Sequence, residues 1–338
     1  MSEQYKVRMG QDGPTFHCEG DDTLLRAGLR HGLGLAYECN AGACGSCKFE
    51  LIEGTVVDLF PDAPGLRPKE RERGKRLACQ CVPTSDCTIK MRAGDEFVST
   101  VRPRRFQAKL TAREMLTPDI ARFVFKAPGP AQFLPGQYAL LSLSGATAPR
   151  AYSMSNVTNE HGNWEFIIRR VPGGAVSEAL FDSLRVGDSV GMDGPYGIAY
   201  LRTDNSRPIV GIAGGSGLAP VLSVVRGAAL LKWQRPPPTL LYGGRGPADI
   251  PDVPATLAAE NIRANFRPVV SDPDLAKNAA WPGDVGFVHN FITDSLTGDP
   301  ADHEYYLAGP PPMIEAAVRL LAAELRVPAS QIHYDRFF

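Results

Sequence analysis

A multi-domain chain is predicted, with a small cysteine-bearing domain first, an antiparallel β domain in the middle and a parallel α/β domain last. Three observations predict it. Cys39, Cys44 and Cys47 stand in C-x4-C-x2-C spacing, with Cys79 following after a gap. Between residues 106 and about 202, short strand-like runs alternate with Gly and Pro. From Arg207 onward the pattern changes to strand–helix–strand. At 338 residues, two or three domains are expected in any case.

In the first segment, Tyr5–Met9 and Thr15–Cys18 read as a strand pair around the turn Gln11-Asp-Gly-Pro14. Thr23–Leu29 reads as a short helix behind an Asp21-Asp22 cap signal, and Lys48–Ile52 as a strand. Between them lies Tyr37-Glu-Cys-Asn-Ala-Gly-Ala-Cys-Gly-Ser-Cys47. That spacing, with one distant fourth cysteine, is the plant-type [2Fe–2S] ligand pattern. Four thiolates, two ferric ions and two sulfides sum to about −2, so the loop must aim backbone N–H groups at the sulfurs. Ala41, Gly42, Ala43, Gly45 and Ser46 are small enough to let the backbone come close. A structural zinc site would use paired C-x2–4-C knuckles, and only half of that pattern is present. Cys18, Cys81 and Cys87 are left as small buried hydrophobes, although Cys81 stands close enough to Cys79 to leave the register of the fourth ligand open. The stretch Arg67–Arg76 reads as a solvated helix face, with a docking surface for an acidic partner as the alternative.

In the middle segment, Phe106–Leu110, Ala121–Phe125, Tyr138–Leu143 and Trp164–Arg169 read as strands of an antiparallel barrel. Arg150-Ala-Tyr-Ser153 is weak evidence alone. It gains force from Ile167-Ile-Arg-Arg-Val-Pro-Gly-Gly-Ala-Val-Ser177, where a strand runs into a Gly-Gly turn and a helix start. Amides there suit a pyrophosphate, Arg150 suits a charge-assisted bond, and the Tyr152 ring suits stacking on an isoalloxazine. Gly194-Pro-Tyr-Gly197 reads as a closing tight turn.

In the last segment, Pro208–Ala213 is a continuous apolar run, as expected for a buried parallel strand. Gly214-Gly-Ser-Gly-Leu-Ala-Pro220 follows it and precedes a helix over Val221–Lys232, the right context for a second pyrophosphate cradle. Thr239–Tyr242, Asn265–Val270 and Glu304–Ala308 read as further strands, and Pro312–Leu325 as a helix. Gly309-Pro-Pro-Pro-Met313 stands at a strand's carboxyl end, where open α/β sheets collect ligands. Arg245 serves either nicotinamide cofactor, while Asp249 leans toward the one lacking a 2′-phosphate. The terminal Phe337-Phe338 is either tail packing or a cover for a flavin ring.

The bulk numbers exclude several classes. Hydrophobic content of 43% and charged content of 22% describe an ordinary globular protein. A net charge of −1 argues against nucleic acid as partner. No apolar run reaches the length of a membrane span, and the N-terminus has no apolar signal core. Seven cysteines, four of them in cluster spacing, fit a reducing cytoplasm rather than a secreted disulfide framework.

Taken in order, the cysteine loop, R-x-Y-S with its Gly-Gly-x-x-Ser turn, G-G-S-G-L-A-P and G-P-P-P-M resemble the three-domain ferredoxin–NAD(+) reductase components of bacterial multicomponent oxygenases. The resemblance spans essentially the whole chain. It is strongest toward toluene monooxygenase reductases of the toluene 4-monooxygenase type, through Tyr37–Cys47, Phe60–Leu66, Leu77–Cys81 and His333–Phe338. It implies an N-terminal β-grasp plant-type [2Fe–2S] ferredoxin domain over residues 1–97, a linker over 98–105, a six-stranded β-barrel FAD domain over 106–204 and an NAD-binding α/β domain over 205–338. The last two together are ferredoxin–NADP reductase-like.

The resemblance further implies NADH, FAD and one [2Fe–2S] cluster on Cys39, Cys44, Cys47 and Cys79. It assigns FAD to Arg150, Ala151, Tyr152, Ser153, Ile167, Ile168, Arg169, Gly173, Gly174, Ala175, Val176, Ser177 and Phe338, with Ser153 near flavin N5 as the catalytic candidate. It assigns NAD to Gly214, Gly215, Ser216, Gly217, Arg245, Gly309, Pro310 and Met313. Many relatives place a Cys before the late Gly-Pro, where this chain has Ala308. Electrons then pass from NADH through FAD and the cluster to a Rieske-type ferredoxin, a di-iron hydroxylase, or both. A monomer is expected. The alternatives are the reductase of a Rieske aromatic-ring dioxygenase and a non-enzymatic redox sensor.

Overall fold

Hydrophobic alternation and glycine placement build three large sheets and a two-stranded one among the described residues. In the computed structural model, which describes residues 3–143, 145, 148–231 and 236–338, the chain divides into two compact units. One is Met1–Arg105 with Asp193–Ile198; the other is Phe106–Met192 with Ala199–Phe338.

The first unit carries strands β1 (Gln4–Met9), β2 (Thr15–Glu19), β3 (Lys48–Glu53), β4 (Val56–Asp58), β5 (Lys75–Leu77), β6 (Cys81–Pro83) and β7 (Cys87–Met91). Five form a mixed sheet in the order β2-β1-β7-β3-β5, with β1 and β7 parallel to each other. Helix α1 (Leu24–Arg30) buries Leu24, Leu25, Ala27 and Leu29. Together with Val7, Phe16, Leu35, Phe49 and Ile89 these make the core of a β-grasp domain. The cap of α1 is Thr23, whose side chain accepts from Arg26 N–H; Asp22 instead accepts the Thr23 N–H. The basic stretch forms only a five-residue helix, α2 (Pro68–Glu72), before β5 begins. Its charges are partly spoken for: Glu70 holds Arg67 and Lys48, Asp62 faces Arg71, and Glu50 faces Lys75.

The next six strands are β8 (Arg104–Met115), β9 (Ile120–Lys126), β10 (Tyr138–Ser142), β11 (Arg150–Ser153), β12 (Asn163–Arg169) and β13 (Ser189–Tyr196), all of the second unit except Arg104–Arg105 and Asp193–Tyr196. They form a six-stranded sheet in the order β11-β10-β13-β8-β9-β12. An antiparallel bridge between Met154 and Phe166 brings the two edges together, so the barrel nearly closes. Phe123, Phe125, Trp164, Phe166 and Ile168 fill its interior. The expected turn Gly194–Gly197 is not a turn: Gly194, Pro195 and Tyr196 are the last three residues of β13. The Gly194–Pro195 peptide bond is cis.

The remaining strands are β14 (Ile209–Gly214), β15 (Thr239–Gly244), β16 (Asn265–Val270), β17 (Asp284–Val285), β18 (Glu304–Gly309) and β19 (Ile332–Arg336). All are parallel, in the order β17-β16-β15-β14-β18-β19. β19 carried no sequence signal, because its five residues mix charge with aromatics at a sheet edge. The connecting helices are α4 (Leu218–Ala229), α5 (Val253–Ala259), α6 (Pro273–Asn278) and α7 (Pro311–Arg319), after α3 (Ala175–Glu178) of the barrel. Helix α4 starts three residues before the expected Val221, directly out of the glycine loop; Lys232, its expected end, lies outside the described residues. No helix among the described residues is long and apolar enough to cross a membrane.

Candidate functional site

The cysteine loop folds because its backbone takes conformations that side chains resist. Asn40, Gly42 and Gly45 all have positive φ, at 50°, 84° and 75°. A Cβ on Gly45 would stand 2.4 Å from Gly65 O, so glycine is required both by conformation and by space. Amides then point at sulfur: Ala41 N and Cys44 N lie 3.5 and 3.3 Å from Cys39 Sγ, and Ser46 N lies 3.4 Å from Cys44 Sγ. Gln80 Nε2 lies 3.5 Å from Cys79 Sγ.

The thiols meet in two pairs, Cys39 with Cys44 and Cys47 with Cys79. In the first pair, the hydrogen bond from Cys39 holds the Cys44 thiol down to about 6, against burial. In the second, the hydrogen bond from Cys47 likewise holds Cys79 below the usual thiol value. The donating thiols, Cys39 and Cys47, are raised by the same hydrogen bonds and by burial. No group of three described His, Cys, Asp or Glu side chains gathers around one ion. Two thiol pairs in a nest of amides instead match the four-thiolate donor set of a two-iron cluster. Asn40 Nδ2, buried beside Cys39, has no acceptor among the described residues. Cys81 is buried and pushed up to about 12 by desolvation, and Cys18 and Cys87 are also buried and raised, as expected of thiols outside the cluster.

On the barrel, β11 holds Arg150 exposed, Ala151 and Tyr152 half-buried, and Ser153 buried. Tyr138–Leu141 of β10 pair with these four residues. Burial pushes the Tyr152 phenol up to about 12, so it stays neutral. Ile168 points into the barrel core, whereas Ile167 packs with Ala213 and Leu218 of the nucleotide domain. Val176 and Ser177 are also buried. Ser177 accepts the Val171 N–H at 3.1 Å, which folds the Gly-Gly turn onto itself. Gly173 (φ 74°) faces open space, and its N–H donates to the Glu178 carboxylate at 2.8 Å. The amide assigned to a pyrophosphate thus donates to an anionic acceptor, the Glu178 carboxylate, which a pyrophosphate would displace.

A cavity of about 410 Å³ opens at the carboxyl ends of the parallel strands. Gly215, Arg245, Pro310 and Met313 of the expected nucleotide set line it. Gly214, Gly217 and Gly309 form the crevice behind them. This crevice lies between β14 and β18, where strand order reverses and ligands of such sheets bind. A Cβ on Gly217 would stand 2.0 Å from Ala308 O, and one on Gly214 would stand 2.8 Å from Met313 Sδ. Ala308 itself is buried.

The barrel supplies the other wall. Asp119, Ile120 and Arg169 line the same cavity, and Arg169 Nε donates to Asp119 Oδ2 at 2.6 Å. Arg169, expected in the FAD set, therefore faces this cavity. Sequence reasoning missed Asp119, Tyr242 and the stacked pair Phe287–His289, whose ring centroids are 5.8 Å apart. Of these only the Gly-Gly following Tyr242 offered a signal. Asp249 also lines the cleft, with its carboxylate accepting the Gly246 N–H at 2.8 Å. At the C-terminus, Phe337 packs into the nucleotide-domain core, while Phe338 is exposed beside Arg336.

Comparison with known proteins matches three family models along the chain. They are a 2Fe-2S iron-sulfur cluster binding domain over residues 8–84, an oxidoreductase FAD-binding domain over 107–200 and an oxidoreductase NAD-binding domain over 212–319. The ferredoxin–NAD(+) reductase component of an alkene monooxygenase system from Xanthobacter autotrophicus is 40% identical, over 96% of this chain and 98% of its own. The xylene/toluene monooxygenase electron transfer component of Pseudomonas putida is 33% identical, over 99% and 91%. Among solved structures, the ferredoxin reductase in carbazole 1,9a-dioxygenase superposes with a TM-score of 0.90 at 36% identity, covering 100% of this chain and 99% of that one.

Proposed function

The chain belongs to the ferredoxin–NAD(P)+ reductase components of multicomponent oxygenases, and from that premise we propose that it is the NADH-dependent reductase of an aromatic, toluene-type monooxygenase. The observation that carries this reading is the co-occurrence, in one polypeptide, of a dinucleotide cleft, an R-x-Y-S barrel strand and a thiol nest. When bound, FAD supplies the conversion of a two-electron hydride donor into single electrons, and the cluster carries them one at a time.

The chain's own residues do the binding and placement. Cys39, Cys44, Cys47 and Cys79 are proposed to hold the cluster, with the amides of Ala41, Cys44 and Ser46 stabilising its charge. Arg150, Tyr152, Ser153 and the Gly173–Ser177 turn are proposed to hold FAD. The Gly214–Gly217 loop, Arg245 and Gly309–Met313 are proposed to hold NADH. Buried Ser153 is the candidate for hydrogen bonding near flavin N5. Domain limits of 1–97, 106–204 and 205–338, a cytoplasmic monomer, and a Rieske-type ferredoxin or di-iron hydroxylase as electron acceptor complete the reading.

Similarity to alkene and xylene/toluene monooxygenase components supports the monooxygenase assignment. The carbazole dioxygenase reductase, which shares this fold at 36% identity, favours the second reading, a Rieske dioxygenase reductase. Reconstitution separates them. NADH-driven product formation with a di-iron hydroxylase system supports the first; turnover only with a Rieske oxygenase would replace it with the second. A cofactor-loaded protein that reduces neither a dye nor cytochrome c with NADH would sink both and leave the redox-sensor reading.

A further inference from the structure

Helix α4 joins the two halves of the second unit. It leaves the Gly214–Gly217 loop at one end, and one face of it lies on the barrel segment immediately after Arg150–Ser153. Ser223 and Arg226, three residues apart and so on one face, are both buried. Arg226 Nη1 donates to Ser155 O at 2.6 Å, and Ser223 Oγ donates to Asn156 O at 2.6 Å. Gly136 N, from the loop before β10, donates to the same Ser223 Oγ at 3.2 Å. Arg226 is itself oriented by a two-pronged pair with Glu260, Nε to Oε2 at 2.8 Å and Nη2 to Oε1. Gly227 lets the helix approach, because a Cβ there would stand 2.6 Å from Pro135 Cγ.

The segment that receives these bonds is tied in turn to the barrel. Met154 N donates to Gln137 O, Ser155 N donates to Glu165 O, and Asn156 Oδ1 accepts Glu165 N. Two carbonyls, two and three residues beyond Ser153, are therefore fixed to a helix whose first turn follows directly on the glycine loop. Buried hydrogen bonds from a charged donor are among the stronger ones.

We propose that Ser223 and Arg226, with Glu260 orienting Arg226, are positioning residues for hydride transfer: they set the separation of the Ser153 strand from the Gly214–Gly217 loop. The inference rests on the assignment of those two elements to flavin and nicotinamide. A displacement of about 1 Å at a reacting pair is enough to cost on the order of a hundredfold in rate. The seam acts on geometry, so it changes the chemical step more than the affinity for either cofactor.

The test uses the cofactor-loaded, full-length protein and three variants. Arg226→Met removes the charged donor, Arg226→Lys keeps a charged donor of another shape, and Ser223→Ala removes one hydroxyl. Stopped-flow reduction of the flavin by NADH gives a limiting rate and a Kd separately. The expected result is a limiting rate lower by about tenfold or more in Arg226→Met, with the Kd for NADH and the FAD content within about twofold of the parent. Arg226→Lys, which retains one donor for Ser155 O, recovers part of the rate. In the same cofactor-loaded protein, amide hydrogen exchange is expected to speed up over residues 154–159 in Arg226→Met and to stay unchanged in β14.

A limiting rate per bound flavin equal to the parent's in Arg226→Met and Ser223→Ala would overturn the proposal. So would a loss that lies wholly in FAD affinity. Should Arg226→Met fail to fold, Ser223→Ala alone decides by the same criteria. A parent protein whose flavin NADH does not reduce would instead refute the electron-transfer reading itself, and this inference with it.

Discussion

Gly217→Ala tests whether the crevice between β14 and β18 is the nucleotide site. Gly217 has an ordinary helical φ of −58°, so alanine costs nothing in backbone conformation there. The obstacle is space: the new Cβ would stand 2.0 Å from Ala308 O, 2.4 Å from Ala308 C and 2.8 Å from Gly309 N. All three are backbone atoms of β18, which is pinned on both sides by parallel pairing with β14 and β19. Real Cβ atoms do not come within 3.0 Å of such atoms, so the glycine loop must retreat by about 1 Å. Overpacking of this kind costs about 1–3 kcal/mol. The retreat also widens the crevice at the point where a pyrophosphate needs close amides, so the Kd for NADH is expected to rise by about tenfold, or ~1.4 kcal/mol. The assay is NADH titration of flavin reduction, with the cluster spectrum and FAD content as controls expected to stay unchanged. Gly215→Ala is the informative contrast, because its Cβ has room, 3.6 Å from the Arg169 guanidinium, and meets only the strain of φ +57°. Gly217→Ala protein with the parent's Kd and thermal stability would refute the placement of the nucleotide in this crevice.

Single replacement of Cys39, Cys44, Cys47 or Cys79 by Ser is expected to abolish the cluster's visible absorbance and cytochrome c reduction, with NADH-driven ferricyanide reduction through the flavin retained. The same change at Cys81 should leave the cluster intact, and loss of the spectrum there would reassign the fourth ligand. Lys69→Glu with Arg73→Glu, on the exposed face around α2, should change the salt dependence of electron delivery to the partner protein while dye reduction stays constant; if both or neither change, that face is not the docking surface. With Asp249 on the cleft wall, kcat/KM for NADH is expected to exceed that for NADPH, and Asp249→Asn to narrow the ratio. An unchanged ratio would place discrimination elsewhere.

Residue spacing made much of the candidate site legible. The cysteine loop, the Gly-Gly-x-x-Ser turn and the Gly214–Gly217 loop are contiguous stretches, in which amide direction and close approach are decided within a few residues. Elements with a strong period were legible too, including the apolar β14 and the alternating β12. The sequence was silent where the signal is weak or non-local. β19 is a short polar edge strand, and β13 carries Gly-Pro, which reads as a turn although these residues end a strand. The α1 cap went to Thr23 rather than Asp22, because Asp22 turns to the neighbouring N–H and to Arg30.

By itself the sequence determined the cofactor chemistry of this protein: thiolate spacing and bare glycine loops are local requirements of iron–sulfur and pyrophosphate binding. Only the tertiary structure decided which thiols pair. It brought Cys79 to Cys47 across a gap that carries no spacing rule. It also set Arg169 and Asp119 of the barrel on the cavity at the ends of the parallel strands, and laid Ser223 and Arg226 of α4 against Ser155 and Asn156. These last contacts join residues far apart in the chain, made by common side chains whose meaning comes only from what packing places beside them.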